Sequence, residues 1–240
     1  MGDYYFLMCL FPPLPSSLGD KPVMPFAEIS RMAHRHVNPP HDSLLRAWLS
    51  TIDAANWENM EQGVDFFLEG GALTREAMEA RQNLPPFIRQ FMEERERGIQ
   101  RPHIYDRLWE LCYKSLLILA EQEGCRFLID YVSWEIDLRN RLTALRLRDR
   151  GANAADHILM PGLGSFDFTA LVSQLEGQIN PLEAERIIDL ERLKQICSCQ
   201  GVDPFSLDAV LTYLACAAVY DRWEKLQKSY DIDNYLYYGG

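Results

Sequence analysis

With 240 residues, 48% of them hydrophobic, the chain is long and apolar enough to bury a substantial core, which excludes a disordered or fibrous class. Thirty-five acids against 24 bases leave a net charge of −11, which repels phosphate backbones and argues against nucleic acid as a partner. Nineteen of the bases are arginine and five are lysine, a bias toward the side chain that forks onto carboxylates and stacks on rings.

In chain order, residues 4–10, Tyr-Tyr-Phe-Leu-Met-Cys-Leu, form an aromatic, apolar run that reads as a short strand or an extended piece laid into the core. The run has no basic leader and stops at Pro12-Pro13, short of the ~18 to 20 residues that span a bilayer, so neither a signal peptide nor an anchor is expected. Phe6 stands where a myristoylation motif wants Ser or Thr. Pro-Pro pairs at 12–13, 39–40 and 85–86 each precede a helical pattern, because the residue before proline is pushed out of the α region. Between these marks the spacing predicts helices near 25–36, 42–61, 74–82 and 86–97. A long helix over 102–124 follows, then a second over 125–150. Residues 151–165, with three glycines and a proline, break the period and read as a hinge. Helices at 167–177, 181–200 and 206–229 complete the pattern.

The stretch 207–220 is apolar at 12 of 14 positions and is therefore expected in a central, buried place. No strand-like alternation follows residue 15. The fold class expected is all-α: a multi-helix bundle with two long central helices, in one body softly divided into 1–150 and 166–230, with a tail over 231–240. No sequence repeat is evident.

Six cysteines, at 9, 112, 125, 197, 199 and 216, are too scattered for a disulfide framework and fit a reducing, cytoplasmic compartment. Cys197 and Cys199 form a lone C-x-C, read as core and not as zinc ligands. His34, His36, His41 and Asp42 invite comparison with a metal-dependent hydrolase. However, residues two apart point to different faces of a helix, and Asp42 suits the N-cap of the next helix. Neither Pro161-Gly-Leu-Gly164 nor Glu93–Arg97 offers a catalytic set, so no enzyme, metal or cofactor is expected.

Within 125–150, Phe127, Tyr131, Trp134, Leu138, Leu142 and Leu145 share one stripe at alternating spacings of three and four, a packing seam with charged borders. The pairs Glu135 with Arg139 and Asp137 with Arg141 stand at i,i+4 and are expected to bind each other. Residues 139–150 hold five arginines and one aspartate, a local +4 against −15 for the remainder. Arg139, Arg146, Arg148 and Arg150 are therefore the candidate contacts for an acidic protein partner. The last three lie in the closing turns, where cations also suit the helix dipole.

The stretch Trp134-Glu-Ile-Asp-Leu-Arg-Asn-Arg-Leu-Thr-Ala-Leu-Arg146, with Gly151 and Ile158-Leu-Met-Pro-Gly162 after it, resembles the central-stalk subunit, called C or d, of V-type and archaeal-type rotary ATPases. Asp203-Pro-Phe-Ser-Leu-Asp-Ala-Val-Leu-Thr-Tyr-Leu214, then Asp221 and Trp223, is similar to that family's closing helix. The likeness covers about 125–230; the shorter chain and its opening Tyr4-Tyr-Phe-Leu with Leu14-Pro15 look more like a small bacterial companion family associated with V-type ATPase operons. The resemblance implies an all-helical, non-catalytic body without a membrane span of its own. It would sit peripherally on the cytoplasmic face, seating the soluble rotor on the membrane ring or assisting assembly. Its partners would be stalk and membrane-ring subunits, and Arg139 and Arg146 match the family pattern. Two alternatives remain: a free-standing helical adaptor whose tail docks through Tyr235, Tyr237 and Tyr238, and a helical metal-dependent hydrolase.

Overall fold

The structure, a computed structural model, describes residues 3–98, 101, 103–148, 153–163 and 166–229, the last three by their backbone alone. Among these residues the chain is all-helical, with ten α-helices, one 3-10 turn and no strand. The helices are α1 Tyr5–Leu10, α2 Phe26–His36, α3 His41–Glu61, α4 Arg75–Glu79, α5 Pro86–Glu96, α6 Ile104–Glu123, α7 Arg126–Arg148, α8 Thr169–Glu176, α9 Pro181–Ser198 and α10 Leu207–Ser229. No helix among the described residues is long and apolar enough to cross a membrane.

Two compact units are distinguishable, Val37–Gly177 and Met1–His36 with Gln178–Gly240. In the unit Val37–Gly177, α6 packs against α3, α5 and α7. Its core mixes aromatic and aliphatic side chains: Trp57, Phe87 and Phe91 are fully or nearly buried together with Met78, Ile88 and Leu108. Burial of each such side chain contributes about 1.5 to 3 kcal/mol. The turn from α6 into α7 is only two residues long because Gly124 takes the left-handed conformation at φ 67°, and Cys125 N–H returns to Ala120 O at 2.9 Å.

In the other unit, α10 packs on α2 and α9, and α1 lies on α2. As its composition requires, α10 is buried along Leu207, Val210, Leu211, Leu214 and Trp223. Asp221 Oδ1 accepts the Phe26 N–H at 3.1 Å and so caps α2, while Arg222 Nη2 donates to both oxygens of the wholly buried Asp189 at 2.8 Å.

Three local expectations change. Residues 5–10 are helical, not extended: the Tyr4 N–H bonds Phe205 O, the Tyr5 ring meets the Phe205 ring at 4.8 Å with the planes tilted by 60°, and only Leu7 of the helix is buried. Asp42 is inside α3 and not its cap, because the helix begins at His41, and its carboxylate lies 3.9 Å from Arg46. Cys197 is exposed and Cys199 partly so, whereas Cys112, Cys125 and Cys216 are the thiols that pack as core.

Candidate functional site

The site centres on α7. Ile136 and Leu138 point into the core with no exposure. That places Asp137, Asn140, Arg141 and Ala144, at spacings of three, four and seven, along another face. This face holds Leu159 and Phe166. The Asn140 side-chain amide donates to Leu159 O at 2.9 Å and accepts the Leu159 N–H at 2.8 Å; Asp137 Oδ2 accepts the Phe166 N–H at 2.9 Å. Between these two clasps the backbone turns through positive φ at Met160 (45°) and Gly162 (90°). A left-handed conformation is ordinary for glycine and costly for methionine, so the clasps hold a strained turn in place.

Arg141 lies on the rim of two grooves. One, of about 290 Å³, is formed with Ala144, Ile158, Met160 and Leu163; the other, of about 320 Å³, with Phe166, Thr169, Val172 and Glu176. In the second, the Thr169 hydroxyl and N–H, and to a lesser degree Arg141, hold the Asp167 carboxyl below the usual carboxylate range.

The arginines divide differently from the sequence expectation. The guanidinium of Arg139 lies 4.7 Å above the Trp109 ring and 3.9 Å from Asp106, whose other oxygen is 3.1 Å from His157 Nδ1. Trp109 in turn donates to Glu58 at 2.7 Å, so this network ties α3, α6, α7 and the 3-10 turn Ala154–His157 together. Arg139 is thus engaged inside the fold. The expected Asp137–Arg141 pair does not form; Asp137 Oδ2 accepts the Phe166 N–H instead. Arg148 pairs with Glu176. Arg141 and Arg146 are exposed and make no ion pair with another described residue. Of the seam expected at 127–145, Phe127, Trp134 and Leu138 are buried, with Leu128, Val132 and Ile136 also enclosed; Tyr131, Leu142 and Leu145 are only partly covered. Arg150, Tyr235, Tyr237 and Tyr238 lie outside the described residues.

The clasp occurs twice. On α3, the Asn56 amide donates to Leu68 O at 2.9 Å and accepts the Leu68 N–H at 2.7 Å, while Asp53 Oδ1 accepts the Leu73 N–H at 3.1 Å. Ile52-Asp-Ala-Ala-Asn56 and Ile136-Asp-Leu-Arg-Asn140 therefore perform the same task, each helix being followed by a looped segment, a short helix and a helix opening on proline (Pro86, Pro181). Sequence reading missed this duplication. Its only signal is the pattern Ile-Asp-x-x-Asn, and the intervening loops differ in length by seven residues (12 from Asn56 to Leu68, 19 from Asn140 to Leu159).

Among the described residues no group of three or more His, Cys, Asp and Glu side chains is arranged to hold a metal ion, and the His36 ring packs edge-on against Phe6 at 5.5 Å. Comparison with protein-family models, curated proteins and solved structures gives no match.

Proposed function

We propose that the protein is a non-catalytic interaction protein of a V-type or archaeal-type rotary ATPase, a stalk subunit or a stalk-associated assembly factor, working on the cytoplasmic face of the membrane. The observation that carries this reading is the clasp: the two separated stretches on which the family likeness rests, 134–146 and 158–162, are joined through Asn140 and Leu159, and Asp137 holds Phe166 just beyond them. That unit presents Arg141 and Arg146 to solvent beside two grooves, a positive face on a chain of net charge −11. Such a face suits an acidic protein surface, and its contacts weaken as salt screens them.

Affinity purification of the protein from native membranes, followed by mass spectrometry, tests the reading. Stalk and membrane-ring subunits should co-elute at low salt and be lost from the Arg141→Glu, Arg146→Glu double variant. Recovery of the protein alone at every salt concentration overturns it.

A further inference from the structure

The two clasps allow one half of the unit Val37–Gly177 to be compared with the other. With Asn56 set on Asn140 and Leu68 on Leu159, Met60 corresponds to Ala144 and Phe67 to Ile158. These residues line the same groove in each half, between the clasping helix and its looped segment. In the first half the groove is nearly closed, at about 50 Å³, by Met60, Phe66, Phe67 and Met78. In the second it is open at about 290 Å³, because alanine and isoleucine replace methionine and phenylalanine. At the rim of the first groove Arg75 lies over the Phe67 ring at 5.4 Å and pairs with the exposed Asp65 carboxylate at 2.8 Å, so one guanidinium meets an acidic residue and an aromatic one two positions on. In the second half Arg141 stands at the groove, exposed and with no ion pair to a described residue.

We infer that the groove between α7 and residues 158–163 is a docking pocket for an acidic–aromatic segment of a partner protein, its ring seated over Ala144 and its carboxylate on Arg141. The inference deepens the reading of α7 as a contact face and rests on it to that extent, without depending on the partner being an ATPase. Charge complementarity favours the acidic residue, and the filled first groove favours the ring. The bonds from Asn140 and Asp137 hold the turn at Met160 and Gly162 and so keep the pocket wall preformed, which lowers the ordering cost of binding.

The probe is a dye-labelled peptide of the chain's own sequence 64–69, Val-Asp-Phe-Phe-Leu-Glu, titrated with the full chain and followed by fluorescence anisotropy. Saturable binding is expected with a Kd below about 1 mM. Ala144→Met, which restores the filler of the first groove with a good helix former, should weaken it roughly tenfold or more and leave the melting temperature nearly unchanged. Arg141→Gln should weaken it similarly and remove most of its salt dependence. Absence of saturation, or unaltered binding by a folded Ala144→Met variant, overturns the pocket. Peptide binding without co-purification of ATPase subunits leaves the pocket standing and removes the stalk reading; co-purification without peptide binding does the reverse.

Discussion

Gly71 lies so close to Asp53 that a methyl group added at Gly71 would overlap Asp53 Oδ1, the oxygen that accepts the Leu73 N–H. The smallest residue at 71 is therefore a condition of the clasp on α3, required by close approach and not by backbone conformation. Gly71→Ala should destabilise the protein by about 1 to 3 kcal/mol in urea unfolding. The Asp53→Ala, Gly71→Ala double variant should lose less than the sum of the two single variants, with a coupling of about 1 kcal/mol. Strict additivity would mean that the methyl group is accommodated elsewhere.

The same carboxyl confers a pH dependence. Asp53 is fully enclosed, its Oδ2 has no hydrogen-bond partner, and desolvation pushes its pKa from 3.8 up to about 7 against the opposing N–H groups of Leu73 and Ala72. Because the folded state holds the proton more tightly than the unfolded chain, the stabilisation is full below about pH 4 and is lost as pH rises to about 7. A shift of this size corresponds to something on the order of 4 kcal/mol. Asp53→Asn keeps the acceptor for Leu73 and cannot ionise. Its urea midpoint should exceed that of the wild type at pH 8, and the difference should shrink or reverse at pH 5; a difference independent of pH would show that Asp53 titrates normally.

Asn56 and Asn140 each satisfy both backbone groups of a leucine, so truncation leaves a donor and an acceptor unpaired. Asn56 is buried and Asn140 half-buried, which makes the first loss the larger. Asn56→Ala should cost about 2 to 4 kcal/mol and Asn140→Ala about 1 to 2, measured by chemical denaturation. Asn140→Ala should also speed proteolytic cleavage within 153–163, with Asn56→Ala leaving that rate nearly unchanged.

Helix positions were legible in the sequence because each run had a period and a stop. Pro86 and Pro181 opened helices as expected, Gly124 closed one, and the all-apolar stretch 207–220 is buried. The helix at 5–10 was not legible, since six apolar residues carry no period that separates strand from helix and its place depends on Phe205, two hundred residues away. The site was half legible. The arginine excess was visible, but which arginines face solvent depended on where Asp137 and Asp106 turn. Asp137 binds a distant backbone N–H instead of its i+4 neighbour, and Asp106 lies on another helix. Spacing rules record local neighbours only, so they assigned Arg141 a partner it does not have.

Arg139 and Arg146 stand seven residues apart on α7, and sequence gives them equal claim to a partner. The structure separates them. Arg139 covers the Trp109 ring and approaches Asp106 with 30% of its side chain exposed, whereas Arg146 is exposed and makes no ion pair with a described residue. Arg139→Ala should lower stability by about 1 to 2 kcal/mol, because it removes a partly desolvated cation–π contact and leaves Asp106 to His157 alone. Arg146→Ala should change stability by less than about 0.5 kcal/mol. In a Trp109→Leu background the cost of Arg139→Ala should fall, since the ring face it covers is gone; an unchanged cost would locate its whole contribution at Asp106. Partner affinity should follow the opposite order, reduced by Arg146→Ala in a fully stable protein. Arg139→Ala should reduce it only as far as thermal melting of the same sample shows α7 to have loosened.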